Sequence, residues 1–206
     1  MFAYCNNNPI YATDWTGDRP VWEYIVGNGC VGCTDTGTGS YSIAEDGEYI
    51  TDQEHFSASS WPLGLSTVSN SGCGIVAAYN ILTSRGIDVS FSDVFFSAFK
   101  HDALVDCGMS GTDVSKMIDV IIDLDPSISI SNSADPIESS FVVYGFYEDG
   151  HRVGGHAAAA IHYSDRFYII INGIGVTSDY AVDLFSYFSA INRNESIKID
   201  GHVAFH

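Results

Sequence analysis

Cys73 lies in Asn70-Ser71-Gly72-Cys73-Gly74, directly ahead of a run in which Ile75, Ala78, Ile81 and Leu82 recur at helical spacing. A thiol at a helix start meets unpaired backbone N–H groups and the positive end of the helix dipole, and both favour the thiolate. His156 follows Gly154-Gly155 and is predicted to open a strand, with four alanines behind it that let a helix pack closely. Asn172 comes sixteen residues later, at the end of the next predicted strand, and a hairpin near Ser164-Asp165 brings it beside His156. The three types then read as nucleophile, base and orienter. The imidazole takes the thiol proton, the ion pair depresses the thiol pKa, and the amide holds the ring in a productive tautomer. Taken singly, each has a plainer role: a small buried cysteine, a satisfied histidine, and a turn residue before Gly173.

An ordered series of elements must position these residues. The apolar spacing predicts a helix over 73–84 with Gly86 as its stop, and a second helix from a Ser90 or Ser92 cap to about Lys100. A third follows Ser110 or Thr112, carries Val114, Met117, Ile118, Ile121 and Ile122, and is closed by Pro126. Beyond it the period falls toward two, which predicts strands over 127–131, 141–147, 156–163, 167–172 and 197–205. Helices first and strands later is the order of an α+β domain, a helical layer packed on an antiparallel β-sheet, here over 61–206. The first 60 residues, rich in Gly, Asn, Thr, Ser and Asp, read as irregular, with short strands at 21–26 and 48–51 and a surface loop over 27–40.

Composition narrows the function classes. The 206 residues are 46% hydrophobic and 17% charged, enough for one domain with a sizeable core. With 26 acidic against 8 basic residues the formal charge is −18, which disfavours nucleic acid and anionic membrane surfaces as partners. The apolar runs at 157–161 and 168–171 are far shorter than a membrane span, and no secretory signal peptide is expected from the first residues. Five cysteines leave at least one thiol unpaired, and Cys30-Val31-Gly32-Cys33 lacks the second ligand pair of a zinc site. No metal and no cofactor are expected. His162 falls about 20 Å along the strand from His156 and reads as structural.

The stretch Ser71-Gly72-Cys73-Gly74-Ile75-Val76-Ala77-Ala78-Tyr79-Asn80-Ile81-Leu82, with Gly154-Gly155-His156 and Phe167-Tyr168-Ile169-Ile170-Ile171-Asn172, resembles the papain-like cysteine peptidases. The likeness is to the branch that includes the leader-cleaving domains of bacteriocin exporters. It implies a papain-like fold with the cysteine helix packed on the sheet, Cys73 as nucleophile, His156 as general base and Asn172 as orienting amide. The family usually supplies an oxyanion-hole glutamine about six residues before the cysteine. Thr67 stands there, and the chain's one glutamine is Gln53, so Asn70, Thr67 and Gln53 are the candidate donors beside the Cys73 N–H.

A second resemblance covers Phe2-Ala3-Tyr4-Cys5-Asn6-Asn7-Asn8-Pro9 and Asp14-Trp15-Thr16-Gly17, which is similar to the end of the Rhs repeat-associated core, with Trp15 in place of the usual proline. It implies a 1–17 junction segment, a loop-rich extension over 18–60, and a toxin tip with an immunity protein as partner. The expected activity is peptide-bond cleavage through a thioester, acting on a protein or peptide. A deamidase or acyl transferase uses the same triad, and a catalytically inactive binding module keeps the fold without the chemistry.

Overall fold

The computed structural model describes residues 48–131, 138–174 and 181–206. The junction-like segment, the predicted strand at 21–26, the loop at 27–40 and Cys5, Cys30 and Cys33 lie outside the described residues.

A two-residue hairpin, β1 (Pro62–Leu63) and β2 (Ser66–Thr67), turns at Gly64 and leads into a one-turn helix, α1 (Val68–Ser71). Gly72 separates α1 from α2 (Cys73–Ser84), whose bounds match the predicted helix. Every residue from Gly74 to Leu82 is buried, because α2 is packed on several sides. Gly86, in the left-handed region at φ 70°, ends it as expected. In α3 (Phe91–Lys100), Ser90 and Asp93 form a reciprocal capping box, and Phe91 and Phe95 carry the helix onto Trp61.

The cap of α4 (Val114–Leu124) is neither Ser110 nor Thr112 but Asp113, whose carboxylate accepts from the N–H groups of Ser115 and Lys116. A side chain one residue before the first helical turn reaches those donors, and Thr112 instead bridges to Leu104.

The expected α+β architecture with an antiparallel sheet is present. Strands β3 (Ile130–Ser131), β4 (Ser139–Glu148), β5 (His151–Ser164), β6 (Phe167–Ile171), β7 (Ala181–Asp183) and β8 (Ile197–Phe205) form one sheet, ordered β3-β8-β4-β5-β6-β7 and antiparallel throughout. A helix unforeseen from the sequence, α5 (Leu184–Ile191), is capped by Asp183 and covers one face. The four alanines of β5 divide by strand alternation. Ala157 and Ala159 join the core under α2, whereas Ala158 and Ala160 join the cluster under α5 with Tyr187 and Phe188.

Two strand expectations are corrected. The segment 48–51 forms no strand: the Ile50 N–H and C=O are instead satisfied by the side-chain amide of Asn80 on α2, at 2.8 and 3.0 Å. An amide side chain carries the donor and acceptor that a strand neighbour would supply. In addition, β5 begins at His151, so His156 is an interior strand residue rather than its first. Gly154 and Gly155 pair with Phe146 and Gly145 of β4 and continue the ladder.

Candidate functional site

The two glycines around Cys73 are there for clearance. A Cβ at Gly72 would overlap the Val68 carbonyl and side chain at the α1–α2 junction, and one at Gly74 would overlap Thr112 Oγ1. Cys73 thereby sits in the first turn of α2 with its thiol reduced and partly exposed. Three backbone N–H groups, those of Ala157, Gly74 and Cys73 itself, draw the thiol pKa down, but burial pushes it up by more, and the net direction is upward. This departs from the expected depressed thiol, because desolvation outweighs the helix terminus when the sulfur lies between α2 and β5.

Cys73 and His156 line the same cavity, of about 280 Å³, together with Asn70, Ser71, Gly154 and Gly155, with no hydrogen bond between the thiol and the ring. The cavity is closed on its other side by the 109–112 segment and by Phe141 and Val143 of β4. His156 lies opposite Tyr144 in register, with ring centroids 5.9 Å apart. Its Nε2 lies 2.5 Å from the backbone carbonyl of Asn172. A carbonyl only accepts, so Nε2 carries the proton, and in the neutral ring Nδ1 is left as the basic nitrogen. Burial lowers the His156 pKa, opposed by the bond to Asn172, so the ring is neutral at pH 7.

The hairpin at Asp165 brings Asn172 beside His156 by way of the β5–β6 pairing. The group that meets the ring is the main chain, however, and not the amide. Asn172 adopts φ 57°, a left-handed conformation that asparagine tolerates, and its Nδ2 donates to Gln53 Oε1 at 3.0 Å. Gln53 is buried, and its Nε2 donates to the Ser69 carbonyl at 2.7 Å. Gln53 therefore connects the loop after β6 to the segment preceding Cys73. Of the three candidate oxyanion donors, Asn70 is exposed and lines the cavity, Gln53 has its amide committed, and Thr67 Oγ1 is paired with Ser69 Oγ at 2.9 Å.

Behind this arrangement, the Tyr187 hydroxyl donates to the Ile174 carbonyl at 2.6 Å and accepts from Tyr144 at 2.7 Å, holding the chain just after Asn172. The His162 ring meets the Asp165 carbonyl and the Tyr168 ring, away from Cys73. The sequence reading passed over Arg152, Met109, Thr112 and Val153, which also line the cavity. Arg152 carried a signal, as one of 8 basic residues and two positions before the glycine pair.

Among the described residues no group of three or more His, Cys, Asp and Glu side chains is placed to hold a metal ion, and no helix is long and apolar enough to cross a membrane. Compared with protein-family models, curated proteins and solved structures, the chain gives no match.

Proposed function

We propose that this chain is a papain-like cysteine peptidase that cleaves a peptide bond through a thioester on Cys73. The supporting observation is that a thiol at a helix start and a histidine with its Nε2 tied to a carbonyl line one cavity. In this reading the Cys73 proton passes to His156 Nδ1 as Sγ bonds to the substrate carbonyl carbon. The C–N bond then breaks, and the leaving amine takes the proton from His156. Water, deprotonated by the same nitrogen, releases the acid and restores the thiol. The Asn172 carbonyl, rather than its amide, orients the ring, and Asn70 with the Cys73 N–H would face the oxyanion. The thiol and ring are both neutral at rest, so His156 acts as a general base and no ion pair is stored beforehand.

The test is a proteome-derived peptide mixture incubated with wild type and Cys73→Ser. New N-termini with the wild type alone are expected. Ammonia release without new N-termini would make the chain a deamidase acting through the same thioester. The raised thiol and the committed Gln53 amide favour one other reading, an inactive papain-like binding module. Absence of turnover, with Cys73 alkylation indifferent to His156→Ala, would establish that reading instead. The likeness of residues 2–17 to an Rhs core end supports a toxin-tip role for the peptidase, with an immunity protein as partner. Expression of wild type should then arrest bacterial growth, and Cys73→Ser should not.

A further inference from the structure

One end of the cavity is charged, and the acyl-transfer steps above make no use of it. Among the described residues, Arg152 is the only Asp, Glu, Lys or Arg side chain on the lining. Its Nε donates to Asp200 Oδ2 at 2.8 Å, and the Tyr147 hydroxyl donates to Asp200 Oδ1 at 2.7 Å. Two irregularities in the sheet and two glycines make this cluster possible. The β4–β8 register shifts between Val143 and Tyr144, opposite Asp200, and the β4–β5 register shifts between Phe146 and Tyr147, opposite Val153. A Cβ at Gly145 would overlap the Asp200 carboxylate, and one at Gly155 would overlap Arg152 Nη2. The guanidinium is thus held from the Nε side over bare backbone. Its two terminal nitrogens have no hydrogen-bond partner among the described residues.

The rim beside Arg152 is apolar and open. Met109 and Val153, 60% and 57% exposed, come from different segments and line the same cavity. A pre-oriented Arg fork beside exposed apolar side chains is suited to a carboxylate with an apolar neighbour.

We propose that this end of the cavity is a specificity subsite, in which the terminal guanidinium nitrogens of Arg152 take a carboxylate of a peptide substrate while Met109 and Val153 cover an adjoining apolar residue. The subsite rests on the proposed acyl transfer at Cys73. The carboxylate comes from an Asp or Glu side chain or from a peptide C-terminus. Asp200 and Tyr147 are positioning residues that fix the guanidinium.

The experiment uses the full chain and a proteome-derived peptide mixture, half of it C-terminally amidated, with cleaved bonds read by mass spectrometry. Wild type is expected to show an acidic residue at one constant distance from the cleaved bond in both halves. A free C-terminus as the source would instead give cleavage at constant distance from the end, lost on amidation. A synthetic peptide carrying the preferred carboxylate is then compared with its amide counterpart. Arg152→Gln should lower kcat/KM for the acid about 10- to 100-fold, the worth of a charge-assisted hydrogen bond, and change the amide peptide by less than about 3-fold. Equal losses on both peptides would make Arg152 a structural residue and overturn the subsite. Cleavage without any carboxylate preference would overturn it too, leaving the peptidase reading intact. No cleavage by wild type would overturn both. Because the preference is read on the wild-type chain, the test stands even if the variant folds poorly.

Discussion

At Cys73 two opposing effects act on one sulfur: three N–H groups stabilise the thiolate, and burial between α2 and β5 destabilises it more. Iodoacetamide alkylation of Cys73, followed against pH, should therefore show its midpoint above the ordinary thiol value of about 8.5. His156→Ala should slow the reaction at pH 7 by removing the base. Burial shifts His156 the other way, toward lower pKa, so the ring stays deprotonated to lower pH than a free imidazole. The acid limb of kcat/KM should accordingly fall below pH 6.5 and reflect protonation of Nδ1. A limb above that value would mean that a nearby negative charge dominates the ring instead. Gln53→Ala would leave the Asn172 amide without its partner and free the Ser69 carbonyl. We expect a loss of about 1–3 kcal/mol in stability, measured by denaturant unfolding, and a lower kcat through a loosened His156.

The elements divide into those that read directly from local pattern and those that do not. The bounds of α2 were legible, and the cap of α3 was narrowed to Ser90 or Ser92, because helix spacing and capping involve residues only a few positions apart. α5 carried the same kind of signal, an Asp183 cap followed by Leu184, Tyr187, Phe188 and Ile191 at helical spacing, but was passed over beside the stronger strands. The early start of β5 was not legible, since a glycine pair reads as a break unless a partner strand is known to continue the ladder. The bonds from α5 to β4 and to the chain after β6 make their own prediction. Tyr187→Phe would remove the donor to Ile174 and the acceptor for Tyr144, both buried or nearly so. It should destabilise the fold by about 1–3 kcal/mol, with amide exchange accelerated first at residues 172–174. Ala159→Leu, by contrast, would force α2 away from β5, at a cost of about 1–3 kcal/mol in the same denaturant assay.

Across the whole molecule the helical layer and the sheet are tied together by Arg85, the C-cap residue of α2. It pairs with Asp125 at the end of α4, at 2.7 Å, and with Glu138 just before β4, at 2.5 Å. Asp125 is only 2% exposed. Burial raises its carboxyl pKa, but the bonds from Ser127 and Arg85 together with the guanidinium charge outweigh burial, and the net direction is downward. A depressed carboxyl pKa contributes stability above its unfolded value, near 3.9, that is lost as pH falls through the folded value. The melting-temperature gap between wild type and Asp125→Asn should therefore be wide at pH 6, begin to narrow only below about pH 4, and close as pH falls through the lower folded value. Arg85→Ala should cost more, about 3–5 kcal/mol at neutral pH, because it leaves a buried carboxylate unpaired.

The sequence by itself determined the α+β order, the main helices and strands, and the types and order of three chemistry-bearing residues, while His156 proved to be interior to its strand. These follow from periodicity, capping and turn chemistry, all short-range along the chain. Only the tertiary structure decided which atoms meet. Asn172 offers its carbonyl to His156 and its amide to Gln53, although 119 residues separate Asn172 from Gln53. Arg152 reaches the cavity edge because two register shifts and two glycines, on separate strands, coincide in space. No window of sequence contains such pairings, since they depend on how far the sheet twists, where its ladders slip and how deeply the helices seat on it.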